Sequence, residues 1–399
     1  MTSTSKLDQG PANSLPPLYL ASMVCSMGMM GFVAAAGPLA AALDLEAWHI
    51  GISATAGGIG WVLSARLWGK TADRIGRKPV LLMGLSGFTL GYLVLCLAVL
   101  AGERLQISAF LVLSVLILSR FFMGLSYSAV PAAGAAVIAD SHCAEDRAGA
   151  MGRLGAAQSA GLLFGPAAVA VLAGTSPATV LLFLALLPIV ALVFVVQRLP
   201  KDTPQTSTSI KQLSLADPRL IRPIVTAVLV MMAVTISQIV IGFVALDRLS
   251  LPQSAAMRLA GGALTAVGVS LVLAQMVIKR LNWTPTRLIR VGGCIAALGF
   301  LGASFSPSQL TLVLSYMLAG LGAGWVLPGI NAYAANAVSS QEQGRAAGAI
   351  SSAMGAGAIL GPLMGGIFYQ HSSFTPYAFA ALSLVIATAM PRHSPHEKS

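Results

Sequence analysis

Weakly polar stretches, each long enough to cross a bilayer as a helix, recur along the whole chain. A membrane-spanning α-helix needs about 20 apolar residues to cross ~30 Å of hydrocarbon. Hydrophobic residues make up 56% of the 399 residues and charged residues only 9%, which excludes an ordinary soluble globular protein. The pattern therefore predicts an all-α integral membrane protein with little chain left for a soluble domain.

Helices are expected because a backbone in lipid must satisfy its own hydrogen bonds, and the stretches lack the ~10-residue alternation of a transmembrane barrel. The first stretch is longer than the apolar core of a signal peptide, so we interpret it as a retained helix. We predict twelve transmembrane helices, over residues 17–43, 48–68, 79–101, 107–138, 148–173, 178–197, 221–246, 256–278, 286–304, 309–338, 346–370 and 375–391.

The distribution of lysine and arginine predicts the orientation. With both termini in the cytoplasm, nineteen of the 24 basic residues lie on the cytoplasmic side, in loops, tails or the adjoining helix ends. Arg104, Arg248 and Arg258 lie outside, and Arg66 and Arg120 lie within spans. The positive-inside rule thus predicts a multi-pass protein of the cell inner (cytoplasmic) membrane with cytoplasmic termini. The basic residues are scattered through loops, so the net charge of +11 does not indicate a nucleic-acid partner.

The chain also looks duplicated. A polar stretch rich in Ser, Thr and Pro separates six spans from six, which predicts an N-terminal bundle (1–197), a cytoplasmic linker (198–220) and a C-terminal bundle (221–399). The sequences MGLS at 123–126 and AGLG at 319–322 match, as do GLLFGP at 161–166 and GAILGP at 357–362. Both matches are 196 residues apart, which indicates two copies of one six-helix unit.

Five charged residues crowd the stretch GKTADRIGRKPVL at 69–81, between the second and third spans. It fills the pattern G-x-x-x-D-R-x-G-R-[KR] that the major facilitator superfamily carries in this loop. The residues that fill it are Gly69, Asp73, Arg74, Gly76, Arg77 and Lys78. The chain resembles this superfamily over essentially its whole length, which implies the MFS fold of two pseudo-symmetric six-helix bundles.

The resemblance also implies a role for these charges. An anion is favoured at the positive end of a helix dipole. Asp73 would therefore face the start of the eleventh helix, near Arg345 and Gly348, and Arg74 would pair with Asp140. The charges would form a gating latch between the halves, closed when the cavity faces outward and broken when it faces the cytoplasm. The alternative is that they only anchor the topology.

Two further stretches resemble superfamily motifs. LSRFFMGLSYS at 118–128 is similar to a fourth-helix pattern associated with proton coupling. GLLFGPAAVA at 161–170 is similar to an exporter motif but lacks its final glycines, whereas GAILGPLMGG at 357–366 is complete. Small residues at these spacings also serve ordinary helix packing, which leaves their bearing on transport direction open. The motif residues are Gly161, Gly165, Pro166, Gly357, Gly361, Pro362, Gly365 and Gly366.

In the resembled superfamily, the first, fourth, seventh and tenth helices line a central cavity. Their methionine, aromatic and amide side chains suit a varied, largely apolar ligand, although lipid contact or core packing is the alternative for each. The candidates are Met27, Met30, Phe32, Arg120, Tyr127, Gln238, Trp325, Asn331 and Tyr333.

All thirteen acidic residues fall in tails, loops or helix ends, so no carboxylate is expected at bilayer depth. Candidate proton sites are Asp44 and Glu46, unless they only anchor a helix end, and Asp140. Arg120 costs ~2.5–3.5 kcal/mol at the bilayer centre, so it needs a partner. That partner is either helix carbonyls and water or a negatively charged substrate.

The resemblance implies a secondary active transporter, driven by a proton gradient, that exports small amphipathic compounds such as drugs or secreted metabolites by alternating access. The alternatives are an exporter of an anionic metabolite such as a carboxylate siderophore, and an importer of a nutrient or metallophore. We expect no cofactor, no metal and a monomer. Histidines lie only at helix ends, loops or tails, without the intramembrane cluster that an enzyme would need.

Overall fold

A computed structural model describes residues 15–105, 107–141, 144–199, 217–339 and 342–391, and all regular structure within them is helical. The predicted linker, 198–220, lies mostly outside the described residues. The helices are α1 (Pro16–Ala42), α2 (Ala47–Ile75), α3 (Arg77–Leu105), α4 (Ala109–Tyr127), α5 (Ala129–Ser141), α6 (Ala144–Val171), α7 (Pro177–Arg198), α8 (Ile221–Asp247), α9 (Gln253–Leu281), α10 (Pro285–Phe305), α11 (Gln309–Asn336), α12 (Gln343–His371) and α13 (Thr375–Ala389).

The predicted all-α membrane architecture is confirmed. Ten helical segments of the described chain, with α4 and α5 counted together, are long and apolar enough to cross a membrane. The other two predicted spans are α2, whose 29 residues include a charged end, and α13, which is apolar but only 15 residues long.

The fourth span is not one continuous helix, because it breaks at Ser128 between α4 and α5. Pro131 has no N–H group to donate to the Tyr127 carbonyl, so the hydrogen-bond ladder is interrupted there. Side chains of α2 donate to a carbonyl beside the break: Trp68 Nε1 lies 2.6 Å and Ser64 Oγ 3.1 Å from the Leu125 oxygen. Polar residues of a neighbouring helix thus stabilise the interruption.

Glycines give the two halves the same internal packing. On α6, a Cβ at Gly165 would lie 2.5 Å from the Met27 oxygen of α1. On α12, a Cβ at Gly361 would lie 2.8 Å from the Met232 oxygen of α8. Gly165 of α6 and Gly361 of α12 are 196 residues apart, and Met27 of α1 and Met232 of α8 are 205 residues apart. Nearly constant spacings of this kind are expected for two copies of one unit. The motif glycines therefore let α6 and α12 approach the backbones of α1 and α8 closely.

The halves contact each other towards one end of the bundle. We call this the far end, and we call the opposite end, which carries the α2–α3 turn, the basic end. At the far end the backbones of Gly37 in α1 and Gly242 in α8, equivalent residues of the two halves, fill each other's side-chain space. Towards the basic end, a Cβ at Gly69 of α2 or Gly348 of α12 would meet no atom within 4 Å. The molecule is therefore open towards the basic end.

The far-end contacts predict a difference between adjacent glycines of α9. A Cβ at Gly261 would lie 2.5 Å from the Pro166 oxygen and 2.7 Å from the Ala170 nitrogen of α6, whereas one at Gly262 would meet nothing. We expect Gly261→Leu to destabilise the protein by about 1–3 kcal/mol through overpacking. Gly262→Leu is the matched control. Thermal unfolding of the detergent-solubilised variants measures the difference, and equal melting temperatures would contradict this account of the interface.

Candidate functional site

A cavity of about 410 Å³ lies between the halves, with walls from α1, α6, α8, α9, α10 and α11. Its polar side chains are those of Ser159, Ser237 and Gln238, and the other lining residues are apolar. This volume and this mixture are typical of a site that binds a small amphipathic molecule. The apolar walls are formed by Met30, Ala156, Ala160, Leu162, Leu163, Val234, Leu264, Val267, Gly268, Leu271, Val272, Phe300, Ala319, Gly320, Ala323 and Leu327.

Two of the predicted cavity residues, Met30 and Gln238, lie in this wall. Asn331 is exposed and lies one turn from Leu327 towards the basic end, so it extends the lining face of α11. Met27 and Tyr333 are partly buried outside the cavity wall. The Met27 backbone packs against Gly165, and Tyr333 packs against the core.

Trp325 and Tyr127 are corrections to the predicted lining. Trp325 Nε1 donates a 2.9 Å hydrogen bond to the Ala274 carbonyl, so the indole joins α11 to α9. Residues two apart on a helix point ~200° apart, so Trp325 turns away from the cavity that Ala323 lines. Tyr127 bonds Ser26 across 3.2 Å and packs against the rings of Trp61 and Phe88, outside the cavity wall.

Arg120 also lies outside the cavity wall, and its side chain is only 2% exposed. The guanidinium carbon lies 4.2 Å from the centre of the Phe32 ring, which is itself fully buried, and Nη1 lies 3.5 Å from the Met29 sulfur. Nε has no hydrogen-bond partner, and no described carboxylate pairs with the group. An aromatic face and a thioether therefore supply the contacts that we expected from helix carbonyls and water. Pairing with an anionic substrate stays a prediction.

The charged motif forms a clip within the N-terminal half. Arg77 is buried and lies 2.9 Å from Asp73, 3.1 Å from Asp140 and 2.7 Å from the Ala72 oxygen, so it joins α2, α3 and α5. The expected pairing of Arg74 with Asp140 is wrong in this conformation, because Arg74 is exposed and Arg77 takes that carboxylate. The backbone of Gly76, at φ 97°, makes the turn that brings Arg77 back to the end of α2.

The neighbouring Lys78 binds the end of α7, where its Nζ donates to the carbonyls of Val196 and Leu199. A cation at these carbonyls also complements the helix dipole. The start of α12 at Gly348 borders open space. A latch from Asp73 to this end of α12, in a conformation closed at the basic end, therefore stays a prediction.

An exposed ion cluster fastens the corresponding end of the C-terminal half. Arg219, just before α8, binds Glu342 through two 3.0 Å hydrogen bonds and also pairs with Asp217. The Arg219 guanidinium, with a smaller contribution from Ser339, lowers the pKa of Glu342 to about 2. Glu342 thus stays charged at neutral pH and ties the start of α12 to the start of α8.

At the far end, a polar contact crosses between the halves. Gln370 Nε2 of α12 donates a 2.6 Å hydrogen bond to Glu46 Oε2, and Trp48 Nε1 donates to the same oxygen at 2.9 Å. Gln253 Nε2 of α9 donates to the Pro38 carbonyl of α1 at 2.8 Å. The sequence indicated Glu46 as a helix-end residue but gave no signal for its partner, which is 324 positions away.

A sequence profile of the Major Facilitator Superfamily matches residues 18–302 and 259–398. The chain belongs to the Major Facilitator Superfamily. It is similar to Multidrug resistance protein 2 of Bacillus subtilis, with 26% identity over 87% of the chain and 86% of that protein. It is also similar to the class B tetracycline resistance protein of Escherichia coli, with 27% identity over 81% of the chain and 80% of that protein.

A shorter match, 38% identical over 119 residues, links the chain to the class D tetracycline resistance protein of Salmonella ordonez and spans 27% of that protein. Among solved structures, the fold matches that of the nucleoside transporter NupG with a TM-score of 0.74 at 15% identity, over 94% of this chain and 96% of that one. It also matches a bacterial homologue of the human lysosomal transporter Spinster with a TM-score of 0.72 at 15% identity, over 97% of this chain and 95% of that one. This superfamily member is therefore a transporter and not an enzyme.

The clip predicts that two neighbouring arginines differ in importance. Replacing buried Arg77 with Gln leaves Asp73 and Asp140 without their shared cation, and hydrogen bonds to charged groups contribute ~1.5–3 kcal/mol each. We expect Arg77→Gln to lower the melting temperature of the purified protein by several degrees. Arg74→Gln, which removes an exposed arginine of the same motif, should change it little. A larger loss for Arg74→Gln would show that Arg74 is the structural residue.

Proposed function

We propose that this transporter exports small amphipathic compounds, either drugs or secreted metabolites, from the cytoplasm by alternating access. The observation that carries the proposal is the 410 Å³ cavity, apolar with a few polar groups, between halves that are apart at the basic end. The positive-inside rule assigns the basic end to the cytoplasm, so a compound would load from that side. Similarity to multidrug and tetracycline resistance proteins along most of the chain supports export.

Release on the opposite side requires the far-end contacts to separate. These contacts are the hydrogen bond from Gln370 to Glu46, the bond from Gln253 to the Pro38 carbonyl, and the close glycine packing of α1 against α8. The basic ends of α2 and α12 would then approach each other, and the predicted latch at Asp73 would form. Both steps are rigid-body movements of one half against the other.

Transport in proteoliposomes tests the proposal, with tetracycline and ethidium as probes. Gln238 is the one amide in the cavity wall, and losing one hydrogen bond of ~1 kcal/mol weakens binding about fivefold. We therefore expect Gln238→Leu to raise the KM of a hydrogen-bonding probe about fivefold at unchanged protein yield. Gln197→Leu, at the exposed end of α7, is the control. If neither probe shows counterflow in the wild type while other amphipathic compounds also fail, export of this class is excluded.

We propose in addition that protons drive the cycle through Glu46. This carboxylate accepts hydrogen bonds from Gln370, Trp48 and the start of α2 at the contact that must break, and protonation removes much of its capacity to accept them. The neighbouring titratable groups are His49, whose Nδ1 accepts from the Glu46 backbone N–H, and Asp247 and Tyr369, which together with Glu46 line a second cavity at the far end. A proton arriving from outside would thus favour opening of the far end.

The coupling proposal predicts that Glu46→Gln uncouples transport from the pH gradient. In proteoliposomes, counterflow at equal pH should persist, whereas the acceleration by a pH gradient should disappear. Asp44→Asn is the matched control, because Asp44 is exposed at φ 53°, a backbone conformation that asparagine also tolerates. Retention of the gradient response in Glu46→Gln would exclude this carboxylate as the coupling group.

A further inference from the structure

Two seams join the halves, one between α6 and α9 and the other between α2 and α12. They are equivalent, since 196 residues relate α6 to α12 and 210 residues relate α2 to α9. At the far end, Gly261 packs on the Pro166 carbonyl in the first seam, as Gly51 packs on the Pro362 carbonyl in the second. Further along, a Cβ at Gly268 would lie 2.8 Å from Leu163, and one at Gly58 would lie 2.8 Å from Ile359.

The equivalence ends at the next turn towards the basic end. In the α2–α12 seam, a Cβ at Gly355 would lie in van der Waals contact with Val62, at 3.7 Å. Their equivalents in the α6–α9 seam, Ser159 and Val272, both line the central cavity. The cavity therefore extends into one seam and has no lining residue from α2 or α12.

The α6–α9 seam also reaches the perimeter of the molecule. Val272 of α9 lines the cavity and is 49% exposed, and Phe164 of α6, next to the seam residue Leu163, is 50% exposed. Their helices, α6 and α9, are the two least buried of the ten apolar spans in the described chain. A cavity wall that is also an exposed apolar surface connects the site to the hydrocarbon of the bilayer.

The side chains also leave the α6–α9 seam more open than the α2–α12 seam. Where α2 carries Arg66, the equivalent residue of α9 is Met276, which is 70% exposed. Across the seam, α6 carries Gly155 where α12 carries Ser351, and a Cβ at Gly155 would meet nothing within 4 Å. The α6–α9 seam is thus apolar and unobstructed at the depth where its counterpart carries an arginine.

Basic residues lie at the mouth of this seam. Arg153 is exposed and lies on the face of α6 that Ala156 and Ala160 continue into the cavity. Arg280 is exposed in the last turn of α9, one turn beyond Met276. Cations at the headgroup level, with an apolar path behind them, match an amphiphile that has an anionic head and a hydrocarbon chain.

We propose that the α6–α9 seam is a lateral portal through which anionic single-chain amphiphiles enter the cavity from the cytoplasmic leaflet. The assignment of the portal to the cytoplasmic leaflet rests on the proposed function. Entry from the lipid rests on the geometry of the seam alone. The apolar chain passes between α6 and α9, past Val272 and Met276, while the head remains near Arg153 and Arg280 until the chain occupies the cavity.

Photolabelling of the full-length protein in liposomes tests the portal. The probe is a lysophosphatidic acid with a diazirine at the end of its chain, and mass spectrometry locates the labelled residues. We expect labels on cavity residues of α6 and α9, and at least a fivefold loss in Gly152→Trp, which places an indole in the seam. Gly348→Trp, at the equivalent position of the other seam, should retain them. Equal losses in the two variants, or labels confined to outward-facing residues, would overturn the portal.

A second experiment tests whether Arg153 and Arg280 recognise an anionic headgroup. Arg153→Gln combined with Arg280→Gln should lower labelling by lysophosphatidic acid severalfold and leave labelling by a lysophosphatidylcholine probe, which has no net charge, unchanged. Arg198→Gln, at the exposed end of α7, is the control. Equal loss for both probes would exclude recognition of an anionic head.

Transport of tetracycline, measured in the same liposomes, separates this inference from the proposed function. Transport without labelling of the cavity by the lipid probe would overturn the portal and leave export in place. Labelling of the cavity without transport of any probe would support the portal and count against export.

Discussion

The direct contact of backbone with backbone at the far end is the interaction on which this conformation depends. Gly37 and Gly242 occupy equivalent places in the two halves, and each fills the space where the other would carry a side chain. In a membrane, such close approach replaces the hydrophobic effect as a source of helix association. The contact depends on shape and has few directional bonds, and none of the ion pairs identified among the described residues crosses it.

Polar interactions supplement this contact at places where each half needs rigidity. In the N-terminal half, Arg77 binds the ends of α2 and α5, and in the C-terminal half Arg219 binds Glu342. The two clips differ in residues and in burial, and they join helices that are not equivalents of each other, since α8 and α12 correspond to α1 and α6. Duplication has thus preserved the glycines that set helix distances, while the charges at the basic end have diverged.

The parts of the structure that depend on hydrophobic length and on residue size were predictable from sequence. The twelve spans follow from apolar length, and the glycines of α6 and α12 indicated close packing. The rotational position of side chains was harder to predict, because an error of one residue in helix phase turns a side chain by ~100°. Trp325 was assigned to the cavity for this reason. The partner of Glu46 depends on how the two halves meet, which no local pattern encodes.

Contact at a single end has a geometric consequence for the size of the opening. A helix of 27 residues, such as α1 or α8, is ~40 Å long at 1.5 Å per residue. The glycine contact lies 21 residues, or ~32 Å, from the basic end of each helix, so a rotation of one half by ten degrees about that contact moves its basic end by ~5.5 Å. Each half thus turns about a small contact at one end. A tilt too small to disturb the packing within either half changes the width of the opening at the basic end by more than the diameter of a water molecule.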